Sequence, residues 1–274
     1  MPENKEPHFF AQNLSDRYCR VRTQDSYLNL FQGSGNHAVT LCGESSVLYS
    51  FYPKSIEEIQ AFSPEAKYIF MLRNPLEMAP SYHRQLLINL EEDIEDFETA
   101  WTLQGKRLEG KNIPQNSTDP ELLQYQKACS LGTHLQNVKN IVPEQRLLIL
   151  FLEDMKRSPK DVYNQVLSFL EISNDHEPSF KVKNKAGTVK SMWLQKLILN
   201  PPTILKNTAL LFKRIGLPLG KIAHNMNRKE IKQKPLNLPF QKILLETFHD
   251  DITQIENLTG RNLNHWKNIS SNQH

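Results

Sequence analysis

The sequence predicts an α/β fold built on a parallel sheet, and three observations carry that prediction. Two short apolar runs, KYIFML at 67–72 and RLLILFL at 146–152, have the composition of strands buried on both faces, the usual situation in a parallel sheet. Between them, apolar residues recur every three or four positions, as on amphipathic helices. After the second run, SPKDVYNQVLSFLEI at 158–172 opens with Ser158 placed as an N-cap and Pro159 at the first helical position. Strand, helices, strand, helix is the element order of a parallel α/β sheet.

The remaining elements follow from the same patterns. The spacing predicts helices over 84–104 and 121–140, separated by GKRLEGKNIPQNSTDP at 105–120, a loop by composition. Residues 192–234 are basic and punctuated by proline, and read as helical in pieces. FQKILLETFHDDITQIENLT at 240–259 is an amphipathic helix stopped by Gly260, after which RNLNHW turns back with Trp266 as an apolar anchor. No internal repeat or low-complexity linker divides the chain, so residues 1–274 are read as a single domain.

Composition narrows the function classes. With 274 residues, 39% hydrophobic and 23% charged, the chain has the profile of a globular protein large enough to bury a core without disulfide staples. The three cysteines, Cys19, Cys42 and Cys129, are far apart and form no C-x-x-C pair, and the histidines lack ligand spacing, so no metal is expected. The N-terminus is charged from its third residue, and the longest apolar run, LLILFL, is too short for a bilayer, which reads as a cytoplasmic protein. The net charge of +3 is uneven: residues 206–234 hold eight Lys/Arg against one acid, while EEDIEDFE at 91–98 has six acids in eight. Both read first as solvated helix faces. A membrane-surface role for the basic 203–234 region is the weaker reading, and nucleic acid is not an expected partner.

Glycine is scarce, 10 residues in all, and no G-x-x-x-x-G-K-[ST] loop occurs. GSGNHA at 33–38 matches a dinucleotide fingerprint, but the HAVTLCGESSVLYSF that follows is a poor helix former and offers no helix N-terminus to a pyrophosphate, so it reads as a surface loop. A better anion site is KYIFMLRNPLEMAPSYHRQ at 67–85. Its strand delivers Arg73 at the carboxyl end, where open α/β sheets bind ligands; Pro75 starts a helix, and Ser81 lies about two turns along. A guanidinium, a hydroxyl and a helix N-terminus together suit a phosphate.

LRNP followed by Ser81 resembles the 3′-phosphate-binding signature of sulfotransferases that use 3′-phosphoadenylyl sulfate (PAPS). KEPHFF at 5–10 is similar to the segment that carries the acidic base in the bacterial and heparan-sulfate-type members. GESSVLYSFYP at 43–53 resembles the stretch before their nucleotide strand, and LLETFHDDITQIENLTGRNLNHW at 244–266 their C-terminal helix and turn. The segments run in family order along nearly the whole chain. The resemblance implies a P-loop-NTPase-like sulfotransferase fold, with PAPS as sulfuryl donor and a hydroxyl or amine of a carbohydrate-like or small-molecule acceptor. It implies Glu6 as general base with His8 beside it, Arg73 and Ser81 on the 3′-phosphate, and Arg228 and Lys229 as anion contacts in NMNRKEIKQKP.

Two departures from the family pattern qualify those expectations. Members of the family carry a strand, a phosphate loop and a helix ahead of the KEPHFF-like segment, whereas Met1 here stands four residues before Lys5. The polypeptide is therefore expected to lack its first strand and 5′-phosphosulfate loop, to bind PAPS weakly and to turn over poorly. Pro80, just before Ser81, removes a helical hydrogen bond and is expected to disturb the direction of Ser81. The competing reading is a non-catalytic remnant of the same fold that binds PAP or a protein partner. Acceptor and oligomeric state are not encoded in recognisable motifs.

Overall fold

The computed structural model describes residues 5–32, 41–173, 178–180, 187–199, 202, 226–230 and 236–268. Helices α1 (Gln24–Asn29) and α2 (Pro53–Phe62) precede strand β1 (Tyr68–Leu72), which leads into α3 (Pro75–Ile88). Helices α4 (Phe97–Thr102), α5 (Gln104–Leu108), α6 (Tyr125–Cys129) and α7 (Leu131–Ile141) lead to strand β2 (Leu147–Phe151). Then come α8 (Leu152–Arg157), α9 (Pro159–Leu170), β3 (Gly187–Val189), α10 (Met192–Leu199), β4 (Arg228–Glu230), α11 (Leu238–Thr259) and α12 (Asn264–Lys267). They fall into two compact units: Met1–Leu76, Gln126–Ser179 and Ile243–His274 form the first, and Glu77–Tyr125 with Phe180–Lys242 the second.

In the first unit β1 and β2 pair in parallel, from Tyr68 opposite Leu147 to Leu72 opposite Phe151. Burial deepens toward the carboxyl ends: Leu72 is 0% exposed, whereas Ile69 is 44% exposed, so the two-faced burial expected of these runs holds only at the strand ends. Helix α11 supplies much of the core. Leu244, Phe248, Ile252 and Ile255 recur at helical spacing and are all fully buried, each worth about 1.5–3 kcal/mol relative to exposure. Gly260 ends this helix at φ 68°, a left-handed geometry that glycine takes without steric cost. Trp266 is buried as expected, and its indole N–H donates to Glu153 Oε2 at 2.9 Å.

The expected 121–140 helix is broken at Ser130 into α6 and α7, after a 3₁₀ turn at Pro120–Leu123. Ser130 does not cap α7. Asp251 of α11 does so instead, accepting the N–H groups of Gly132 and Thr133 at 2.9 Å each. The approach is so close that a Cβ on Gly132 would lie 2.4 Å from the Asp251 carbonyl oxygen. Ser158 occupies the N-cap position of α9 as expected, but its hydroxyl makes no capping bond.

The second unit corrects the reading of the acidic run. The continuous 84–104 helix stops at Ile88, Leu90 turns left-handed at φ 62°, and Glu91 and Glu92 are 0% and 1% exposed. Neither lies on a solvated helix face. Glu92 takes both arms of Arg107, at 2.7 and 2.9 Å, the Tyr125 hydroxyl, and the N–H groups of Asp93 and Ile94. Glu91 accepts from Ser117 Oγ and from the N–H and hydroxyl of Thr118. A carboxylate tolerates such burial only when its lone pairs are filled; the loop after α5 provides the donors to Glu91, and α5, α6 and the adjoining main chain those to Glu92.

Strands β3 and β4 pair antiparallel, Gly187 opposite Glu230. GSGNHA and most of the 203–234 region lie outside the described residues. No helix among the described residues is long and apolar enough to cross a membrane.

Candidate active site

The KEPHFF segment forms a strained turn in the first unit. Glu6 and His8 both adopt left-handed backbone, φ 55° and 51°, on either side of the buried Pro7. Non-glycine residues held there cost about 1–3 kcal/mol each, and such strain clusters where a site must be shaped. The turn is held from two sides. Phe9 stacks on Tyr27 at 4.5 Å between ring centroids, and Phe10 meets Tyr27 and Phe62 edge-on at 5.3 Å. On the other side, the His8 N–H donates to Ser46 Oγ at 3.1 Å and the Phe10 N–H to the Tyr49 hydroxyl at 3.4 Å.

This packing leaves two reactive groups on the turn. The Glu6 side chain is exposed, yet the protein around it raises its carboxyl pKa by desolvation, against the charges of Lys5 and Arg20. A carboxylate moved upward is a stronger base. The His8 ring is 2% exposed and lies edge-on to Tyr18 and Tyr49. Neither ring nitrogen has a hydrogen-bond partner among the described residues. Burial lowers the His8 pKa, with the carbonyls of Glu6 and Tyr18 opposing the shift. The ring is therefore neutral near pH 7.

Arg73 follows the last residue of β1, half-buried at the carboxyl end of the parallel pair. Asn74 then caps the next helix, its Oδ1 accepting the Leu76 N–H at 3.0 Å, and Pro75 occupies the first helical position. The Arg73 charge reaches Cys129, a fully buried thiol whose pKa is raised by desolvation with Arg73 pulling against it. Helix α3 continues through Pro80 to Ile88, so the proline does not end it, and Ser81 lies half-buried on that helix.

Glu6, His8 and Arg73 belong to the first unit, and Ser81, Arg228 and Lys229 to the second. Arg228 and Lys229 stand on β4 opposite Val189 and Thr188, within a short antiparallel ladder. Their side chains lie outside what the structure describes. Glu44, Ser46 and Tyr49, the groups beneath the turn, lie in the GESSVLYSFYP segment that resembles the family, but the resemblance does not single them out as partners of the turn. Their link to residues 8 and 10 spans nearly forty positions and exists only in the folded chain.

Residues 47–197 match the family model described as the sulfotransferase domain. No curated protein matches the chain. Among solved structures, the sulfotransferase from Alicyclobacillus acidocaldarius shares its fold: the TM-score is 0.67 at 20% identity, covering 97% of this chain and 87% of that one.

Proposed function

The chain belongs to the sulfotransferase domain family, and from that premise we propose that it moves a sulfuryl group from PAPS to a hydroxyl or amine of a carbohydrate-like or small-molecule acceptor. The observation that carries the donor assignment is Arg73 at the carboxyl end of β1 with a capped helix starting two residues later, inside the family segment. This is where a doubly charged phosphate gains a bidentate guanidinium and a helix N-terminus. Arg73, with Ser81 of the same helix, would hold the 3′-phosphate. Arg228 and Lys229 are assigned to the anionic groups of the nucleotide.

In the reaction the acceptor oxygen or nitrogen attacks sulfur, the bond from sulfur to the 5′-phosphate oxygen breaks, and PAP departs. Glu6 takes the acceptor proton as the new bond forms, a role suited to its raised carboxyl pKa and its exposure. His8, neutral and packed beside it, shapes the turn. Cationic groups offset the charge gathering on the departing phosphate.

A thermal-shift titration with PAP tests the nucleotide assignment. Wild type should gain stability with rising PAP, by about 2.7 kcal/mol at a hundredfold excess over Kd, and Arg73→Ala should lose that gain. Equal shifts in both proteins would remove Arg73 from the nucleotide site.

A further inference from the structure

We propose that Glu44 is a positioning residue for the turn that carries Glu6, acting through two hydroxyls that each hold one main-chain N–H of that turn. The inference rests on the reading of Glu6 as the base. Glu44 Oε2 accepts the Ser46 hydroxyl at 2.7 Å, and Ser46 Oγ accepts the His8 N–H at 3.1 Å. Glu44 Oε1 accepts the Tyr49 hydroxyl at 2.6 Å, and that oxygen accepts the Phe10 N–H at 3.4 Å. One carboxylate thus reaches both N–H groups, residues 8 and 10, through parallel two-bond relays.

The polarity of the relays depends on the charge. A hydroxyl has one hydrogen and two lone pairs, whereas an ionised carboxylate only accepts. Glu44 therefore draws both hydroxyl hydrogens toward itself and leaves oxygen lone pairs facing the turn, where the N–H donors need them. Tyr27 gives the carboxylate a third donor at 3.3 Å, which ties the relay to the rings packed under Phe9 and Phe10. Tyr49 and Tyr27 are kept protonated, and so remain donors, because burial and the Glu44 charge push their pKa values up. A glutamine at 44 could donate as well as accept, and would no longer dictate which way the hydroxyls point. His8 and Glu6 both sit in left-handed backbone, so the turn has a more relaxed state to fall into once its two N–H anchors loosen.

The experiment compares the full chain carrying Glu44→Gln, Ser46→Ala, Glu6→Ala, or Glu6→Ala with Glu44→Gln. It follows PAP release from PAPS with p-nitrophenol as the probe acceptor, PAP affinity, and amide hydrogen exchange. Glu44→Gln is expected to lower kcat by about 10-fold or more while PAP affinity stays unchanged, the signature of a displaced reacting group. It should speed exchange at His8 and Phe10 and leave β1 and β2 amides protected. Ser46→Ala should speed exchange at His8 alone, and it decides the structural half of the proposal should Glu44→Gln fail to fold.

Within a Glu6→Ala chain, Glu44→Gln should cost nothing further, because no base remains to misplace. A full additive loss there, or unchanged exchange at His8 and Phe10, overturns the positioning role. A Glu6→Ala chain as fast as wild type overturns the base reading and this role with it. A slow Glu6→Ala chain beside a wild-type-like Glu44→Gln chain overturns the positioning role alone.

Discussion

Glu92 in the second unit and Glu44 in the first each gather a tyrosine hydroxyl and further donors, but they leave their surroundings in different states. Glu92 is sealed: its side chain is fully buried, paired with an equally buried Arg107, and surrounded by donors. Glu44 is half-buried and has hydroxyl partners that accept N–H groups of a turn in left-handed backbone, on which Glu6 remains exposed and the His8 ring nitrogens lack hydrogen-bond partners among the described residues. A charge whose neighbourhood is saturated has only a structural task. A charge that stabilises unsatisfied groups nearby marks a place where chemistry is left open.

Four measurements test that contrast. The largest effect expected is on rate. Glu6→Ala should slow sulfuryl transfer by about 10²–10⁴-fold with little change in urea-denaturation stability, because an exposed side chain on a turn contributes little to packing. A large loss of stability instead would make Glu6 structural and erase the contrast. Next, Arg107→Ala should cost about 3–5 kcal/mol, since it strands the Glu92 charge in a dry interior. Chemical denaturation measures it, and a cost below 1 kcal/mol would show that the pair is not sealed.

Acid titration separates the regions by charge type. Burial lowers the His134 pKa from 6.5 to about 4, with the Lys127 carbonyl, an acceptor for the ring, opposing the shift and the Lys127 charge adding to it. The folded state therefore prefers neutral His134. Its contribution is complete above 6.5 and is lost as pH falls toward 4, by about 3 kcal/mol in all. His134→Gln should flatten that part of the stability profile. For Glu92, burial alone would raise the pKa, but hydrogen bonds from Arg107, Tyr125 and Ile94 hold it below 4.5. Its contribution is therefore present above the ordinary carboxylate range and lost only at more acid pH, so a profile in which His134→Gln changed nothing between pH 6.5 and 4 would refute the assignment. The smallest effect belongs to Tyr27→Phe. It removes the longest bond to Glu44, 3.3 Å, and keeps the ring under Phe9, for a loss of about 0.5–1.5 kcal/mol by thermal denaturation.

Much of this molecule could be read from local patterns. Strands β1 and β2 and their parallel pairing follow from two short apolar runs, and the helix ended by Gly260 and the Trp266 anchor from helical periodicity and glycine's freedom at positive φ, whereas β4 (Arg228–Glu230) falls in a region whose sequence reads as helical in pieces. LRNP with Ser81 and KEPHFF marked candidate site residues because their residue types and order are short-range properties. The acidic run misled for a physical reason: six acids in a helical window look solvated when burial is judged one residue at a time. Glu91 and Glu92 are buried because donors from residues 93–94, 107, 117–118 and 125 converge on them.

Fold class and family are written in neighbouring residues, and so are the patterns that make Glu6 and Arg73 candidates. Which carboxylates are sealed, which glycine must be glycine, and what anchors the turn that carries Glu6 depend on tertiary contacts. Gly132 and Asp251 are 119 positions apart, and Ser46 and His8 are 38 apart. Hydrogen bonds and close approaches of that kind depend on where folding places the donors, and no local propensity encodes them.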